Sequence, residues 1–346
     1  MSDKQFQLLR TFVAIAIALV LAFIVTIFVS DEPFEAFSLF MFGPLRNLRY
    51  MGNVVEAAIP LAFAGLATSI LFSANLFNLG SEGIYYVSGL VAAAVVIKSQ
   101  ISGVMLPITA IIIAGIVGMI LSLIPGFLKA KWDVNVLVTS LMLNSIYFGF
   151  GLYYLNYFLR DPNISQIASE RFPENAKLAN ILSGTRIHAG LIVLIAFAIL
   201  VYIFLFKTKW GYGIRMYGMN NNFVKHVGGN PFSLIMLAHI SAGLVAGIGG
   251  SVEVLGMYTR FRWAALPGLG FDGALVAMLS KNKPFASLGA ALFLAYIRIG
   301  ADLMSRLSDV PSELVAFIQA LIILLISAER FLFYWRQRML LKEARN

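Results

Sequence analysis

Thr11–Val29 is an unbroken run of 19 residues with no charge and no proline. Wound as an α-helix it is about 28 Å long, close to the thickness of a bilayer's hydrocarbon core. Further apolar runs follow at Val55–Ser73, Leu79–Ile97, Met105–Ile124, Val134–Phe158, His188–Phe206, Phe232–Val252, Phe271–Ser280, Phe285–Met304 and Ser312–Ala328. So many segments leave little polar surface to face water. Of 346 residues, 60% are apolar and 12% charged, whereas soluble domains carry about 45–50% and about 25%. Membrane β-strands would read as segments of about ten residues alternating in polarity. These runs are continuous and predict helices. The expected fold is all-α: a polytopic membrane bundle of ten segments, one of them short.

The same residues exclude several chemistries. With no Cys there is no disulfide framework, thiolate zinc site, iron–sulfur cluster or cysteine nucleophile, and the redox compartment stays unreadable. The three His, at 188, 226 and 239, are never closer than 13 residues, so no paired metal ligands exist. No catalytic residue and no metal site is expected. A net charge of +9 would suggest nucleic acid in a soluble protein. Here the basic residues sit beside the ends of apolar runs, which is the positive-inside pattern.

With the N-terminus inside, the inner segments hold 15 of the 26 Lys and Arg. Most acids, among them Asp31, Glu32, Glu35, Asp161, Glu170, Glu174 and Asp309, fall in outer loops. Both termini are therefore expected in the cytoplasm. Val29–Ser30–Asp31 offers no small-residue cleavage site, so the first run reads as an uncleaved anchor. Phe34–Asn47 reads as an amphipathic helix along the membrane interface, and Arg160–Thr185 as an external loop with short helices.

Phe271–Ser280 spans roughly 15 Å as helix, about half a core. Pro267, Gly268 and Gly270 precede it, so a broken or re-entrant helix beside the solute pathway is expected. Leu79–Gly80–Ser81–Glu82–Gly83 recurs as Leu269–Gly270–Phe271–Asp272–Gly273. The topology sets the first near the cytoplasm and the second near the outside. An inverted repeat of two halves gives that placement; a chance match of five residues is the other reading.

The chain has no phosphate-binding loop and no Gly-Lys dipeptide, so it does not bind ATP through that motif. The candidates for ion coupling, Glu56, Glu82, Asp272, Arg298 and Asp302, lie mostly near span ends. Coupling to a separate ATPase fits better than an ion-coupled secondary carrier. The longest internal cytoplasmic connection, Lys207–Asn230, carries a two-turn helix expected over Asn220–Val227, with Gly218 and Gly228 at its ends. Such a helix docks on another subunit, unless the loop is only a solvated basic stretch against headgroups.

Three stretches resemble the permease subunits of ATP-binding-cassette importers of the branched-chain amino acid, ribose and nucleoside group. Asn75–Gly83 resembles a Phe-Asn-Ile-Gly-x-Glu-Gly signature. Trp210–Gly228 resembles a Gly-x-x-Arg-x-x-Gly-x-Asn coupling loop through Gly213, Arg215, Gly218 and Asn220. Asn135 with Leu141–Asn144 resembles a stretch of the nucleoside branch. Ile84 replaces a common Gln and Met216 a common Ala.

The resemblance implies one transmembrane permease domain over 1–346, with a peripheral first span at 11–29 and a core at 50–330. A cytoplasmic coupling loop at 207–230 and a basic cytoplasmic tail at 330–346 complete it. It implies a prokaryotic plasma (inner) membrane. The implied partners are two ATPase subunits that bind the ATP, a second permease, an extracytoplasmic solute-binding protein and membrane lipid, with no cofactor in this chain. A heterodimeric pore is preferred over a homodimer. The implied solute is a nucleoside, with ribose or another simple sugar, riboflavin or a branched-chain amino acid as alternatives.

For the pathway, Asn78, Glu82, Asn144 and Asp272 bring polar groups to apolar spans, either to line a channel or to hold the bundle by interhelical hydrogen bonds. Tyr85, Tyr86, Tyr147, Tyr153, Tyr154 and Tyr157 read as an interfacial belt rather than a base-stacking surface. His239 reads as packed with one hydrogen bond, and Gly243, Gly247 and Gly250 as a helix–helix seam.

Overall fold

The computed structural model describes residues 3–101 and 103–327. The tail expected over 330–346 and Ala328 lie outside the described residues. Among the described residues thirteen α-helices run in the order α1 Asp3–Val29, α2 Pro33–Phe42, α3 Leu48–Ser73, α4 Ser81–Lys98, α5 Met105–Trp132, α6 Val136–Tyr154, α7 Gly190–Lys207, α8 Lys209–Met219, α9 Asn221–His226, α10 Pro231–Met257, α11 Leu269–Leu279, α12 Pro284–Leu307 and α13 Ser312–Ser327. Among the described residues β-pairing is confined to isolated bridges, Arg160 with Ser169 and Asn180 with His188. Among the described residues seven helices are long and apolar enough to cross a membrane, and Ala16–Val29, Leu269–Leu279 and Ser312–Leu321 are shorter apolar stretches. Each of the ten predicted runs overlaps one of these helices, and seven of the ten have the length of a span.

The chain divides into two compact units. One is Gly52–Ala295; the other joins Met1–Met51 to the segment from Tyr296 onward. In the larger unit α10 packs between α4 and α5, and glycines set the spacing. A Cβ on Gly118 of α5 would stand 2.3 Å from the Gly243 carbonyl oxygen. One on Gly247 would stand 2.5 Å from Ala114 O, and one on Gly250 2.3 Å from Tyr85 O. The three α10 glycines therefore form the expected seam, where backbones approach closely enough for dispersion to hold them. His239 is buried on α10 and its Nδ1 lies 2.9 Å from Ile235 O, one hydrogen bond within its own helix.

Every residue of α3 from Ala58 to Leu71 is buried, as a helix apolar on all sides requires. Tyr85 and Tyr86 are also fully buried, and Tyr147 is 6% exposed. These three are core residues and not a belt: Tyr85 packs against Trp263, Tyr86 against Phe148, Phe261 and Trp263, and Tyr147 donates its hydroxyl to Leu121 O on α5. Only Tyr153 and Tyr157 of the set stand well exposed.

The smaller unit pairs α1 with α13. Phe23 of α1 contacts Phe34 and Phe37 of α2 at 5.3 and 5.0 Å between ring centroids. Ser30 Oγ and the Asp31 N–H both donate to Asp309, at 2.6 and 2.7 Å. Tyr296 donates its hydroxyl to Met41 O at the end of α2.

Candidate functional site

The two Leu-Gly-x-acid-Gly stretches meet. Residues 74–80 and 258–268 are non-helical, and each ends where a helix starts, α4 at Ser81 and α11 at Leu269. Glu82 Oε1 accepts from the Gly268 N–H at 2.9 Å. A Cβ on Gly270 would lie 2.7 Å from Leu79 O and 3.0 Å from Glu82 Oε2. This corrects the expectation that one stretch lies near the cytoplasm and the other near the outside. Each irregular segment ends at a helix start, and α4 and α11 begin against one another.

The electrostatics follow from that meeting. A helix N-terminus presents unpaired N–H groups and a partial positive charge that favours a carboxylate. Glu82 and Asp272 each occupy the first turn of their own helix. Gly268 is the N-cap of α11, with φ +79°, a conformation that favours glycine. Glu82 thus satisfies the cap of the facing helix while sitting at the start of its own. Behind both starts runs α3. A Cβ on Gly273 would stand 2.7 Å from Ala64 O, and Thr68 Oγ1 lies 3.5 Å from Ser81 Oγ.

Asn78 and Asn144 shape the approach to α4. Asn78 Oδ1 accepts from Gly80 N at 2.5 Å. Asn144, one turn from Ser140 on α6, donates to Leu79 O and accepts from Gly83 N, both at 3.0 Å. Ser140 Oγ accepts from Leu79 N at 3.2 Å. These bonds satisfy backbone groups that would be costly to bury unpaired. Asn78, Glu82, Asn144 and Asp272 are 3, 7, 3 and 8% exposed, so the four predicted residues are gathered in one buried junction of α3, α4, α6 and α11. Asn135, five residues before Ser140, is the N-cap of α6 and accepts from Leu137 N and Val138 N.

The Lys207–Asn230 connection contains two helices, not one. Thr208 caps α8, accepting from Gly211 N at 3.1 Å. Asn220 caps α9, accepting from Phe223 N at 3.0 Å. Gly228 follows α9 with φ +79°, the exit turn expected of it. Gly218 is not at a turn. It lies inside α8, and a Cβ there would stand 2.3 Å from Ser73 O at the end of α3. Close backbone approach, rather than turn geometry, requires glycine there.

Gly213 faces the Leu234 side chain, 2.7 Å from where its Cβ would stand. Arg215 donates from Nε to Leu205 O at 3.1 Å, and its guanidinium lies 4.7 Å from the Phe206 ring centroid. It therefore ties α8 to the last turn of α7, whose carbonyls lack helical partners. Meanwhile Trp210, Tyr212, Met219, Phe223 and Val227 are exposed, by 46–73%. All but Met219 border a cavity of about 680 Å³ between α8, α9 and the start of α10.

Sequence reasoning missed Glu253 and Arg260. Glu253 is buried on α10 and accepts from the Tyr258 hydroxyl at 3.4 Å. Its signal is a lone acid within an apolar run. Arg260 pairs with Asp161 at 3.3 Å. Next to it, Ser169 N donates to Phe261 O and Phe172 N to Thr259 O, both at 2.9 Å. The loop over 160–185 is thereby stitched onto the segment that leads to Gly268. The Asn163 backbone N–H, and then Arg260, hold the Asp161 carboxyl below its ordinary range.

Comparison with known proteins agrees with this architecture. The family described as branched-chain amino acid transport system / permease component matches residues 50–327. The glucose ABC transporter permease protein TsgB13 of Haloferax volcanii is 30% identical over 316 residues, 87% of this chain and 82% of that protein. The guanosine ABC transporter permease protein NupP of Bacillus subtilis is 30% identical over 340 residues, 95% of each chain. The nucleoside ABC transporter permease protein NupB of Lactococcus lactis subsp. cremoris is 26% identical, covering 95% of this chain and 93% of that protein.

Proposed function

The chain belongs to the branched-chain amino acid transport system / permease component family, and on that premise we propose that it carries a nucleoside into the cell as one of two permeases driven by separate ATPase subunits. It is a multi-pass membrane permease subunit of the ABC type. Guanosine and nucleosides in the names of two relatives favour a nucleoside over the glucose of a third.

The observation that carries the energy-coupling part of this reading is the contact of Gly218 with the end of α3. The exposed aromatic face of α8 and α9 suits docking in an ATPase groove, since buried aromatics anchor protein interfaces. Force on α8 reaches Ser73 and Ala74 directly. The next six residues lead to Gly80 and the start of α4, where Glu82 holds the Gly268 N–H. A charge-assisted hydrogen bond of this kind contributes about 1.5–3 kcal/mol, an amount that ATP-driven rearrangement can make and break. In this reading the Glu82–Gly268 bond holds one state of an alternating-access cycle, and Asn78 and Asn144 keep the Leu79–Gly83 backbone in place. Glu82 and Asp272 line the pathway when the bond opens. A binding protein delivers solute on the outer side, and both termini face the cytoplasm.

The test is uptake of labelled guanosine and of labelled glucose by cells deleted for this chain and then complemented. Guanosine uptake that depends on the chain supports the reading. Glucose uptake alone contradicts the nucleoside assignment, and loss of neither contradicts both.

A further inference from the structure

Glu253 is the one acid of α10 and is 6% exposed. The Tyr258 hydroxyl donates to its Oε1 at 3.4 Å, long beside the about 2.5–2.7 Å of a firm hydroxyl–carboxylate bond. Among the described residues its Oε2 has no hydrogen-bond partner. Neither has the fully buried hydroxyl of Tyr85, which lies beside the same carboxylate. Buried polar atoms left unpaired are costly and call for a further partner.

The walls around this carboxylate are aromatic. Tyr258 and Tyr85 both pack on Trp263, at 6.0 and 6.4 Å between ring centroids, and Phe261 packs on it at 5.2 Å. Tyr258 also borders a cavity of about 690 Å³, with Asn163, Gln166, Thr259 and Arg262, within the roughly 300–1,000 Å³ of small-molecule sites. One residue, held by a long hydrogen bond, thus adjoins both the cavity and the carboxylate. Tyr85 stands one turn beyond Glu82 on α4, and Trp263 five residues before Gly268. These rings therefore sit on the two segments that the Glu82–Gly268 bond joins.

A carboxylate accepts and does not donate, so its missing partner must bring N–H or O–H groups. Aromatic walls favour a flat ring that can stack. Guanine combines both, with N1–H and the 2-amino group side by side on one edge. We propose that Glu253 reads that edge: the Tyr258 hydroxyl gives way, both carboxylate oxygens accept from the base, and Trp263 stacks on its ring. This rests on the nucleoside reading above and names the base that the permease selects.

The test is uptake of labelled guanosine into proteoliposomes that hold the full complex with ATP. Unlabelled guanosine competes in one arm, and inosine, which lacks the 2-amino group, in the other. In the natural complex guanosine should compete at least about 10-fold better than inosine. Glu253→Gln should raise the guanosine KM by roughly 10–150-fold, leave kcat near the natural value and erase the preference. Tyr258→Phe removes the hydroxyl and keeps the carboxylate, so the preference should survive it. Equal competition in the natural complex, a preference that survives Glu253→Gln, or the same loss in Tyr258→Phe, would overturn the proposal. A natural complex that takes up no guanosine refutes the nucleoside reading, and this assignment with it. If Glu253→Gln does not assemble, fluorescence of the natural complex decides. Guanosine should quench Trp263 emission, taken as the difference from Trp263→Phe, and inosine at the same concentration should not. No quenching, or equal quenching by both, overturns the proposal.

Discussion

Gly218→Ala adds one methyl group to the contact proposed to carry force from α8 to α3. The added Cβ would stand 2.3 Å from Ser73 O and 2.9 Å from the Ala74 carbonyl carbon, where Cβ atoms do not come within 3.0 Å. Both atoms are backbone, so no rotamer change relieves the overlap, and α8 must back away from α3. Overpacking of this kind costs about 1–3 kcal/mol. Helix propensity works the other way, since Ala is favoured over Gly by about 1 kcal/mol in a helix interior. A net loss therefore reports the contact and not the helix. Net of that offset up to about 2 kcal/mol remains, and if it falls on one of the two states of the cycle, coupling should drop by up to roughly 30-fold.

The assay is the reconstituted complex, with solute-stimulated ATP hydrolysis and uptake measured together. Lys207→Ala serves as a surface control, and Gly228→Asn keeps the left-handed backbone that Asn tolerates. The complex with Gly218→Ala should assemble and hydrolyse ATP while uptake falls, with both controls near the natural protein. Coupled transport at the level of Lys207→Ala would refute the reasoning.

Other outcomes follow from the same geometry. Arg215→Ala removes the hydrogen bond to Leu205 O and the contact with the Phe206 ring, and should lower stability in detergent by about 1–2 kcal/mol, read as a fall in thermal midpoint. Asn144→Leu leaves Leu79 O and Gly83 N without their partner in a buried site, so the loss should be larger, about 2–4 kcal/mol. A midpoint shift smaller than that of Arg215→Ala would show that the junction tolerates the change. The Asp161 pKa is lowered in the folded state, so its contribution is present above the ordinary carboxylate range and lost as pH falls through the lowered value. Asp161→Asn should therefore speed limited proteolysis of the loop over 160–185 slightly at neutral pH and remove the acid-pH dependence that the natural loop shows. The chain purified alone should show no saturable ATP hydrolysis.

The spans were legible because apolar length is a local property: each predicted run became one helix, and even Phe271–Ser280 appeared at its true short length. The meeting of Glu82 with Gly268 was not legible, because 186 residues separate them and counting charges beside spans fixes sides, not depth. α8 was read as loop because Gly211, Gly213 and Gly218 lower its helix propensity. Its Thr208 cap was the available signal. The gathering of Asn78, Glu82, Asn144 and Asp272 was foreshadowed by residue type alone, since polar groups in apolar spans need partners. Which partner each took depended on the irregular segments, whose paths no periodicity encodes.

On the proposed function this permease moves its solute at the expense of ATP hydrolysed by another subunit. The direct measurement is guanosine uptake into proteoliposomes that hold the complex with its binding protein, with ATP or an ion gradient as the only energy source. Uptake is expected with ATP, none with a proton or sodium gradient, and none when this chain is omitted. Uptake driven by a gradient without ATP would contradict that function.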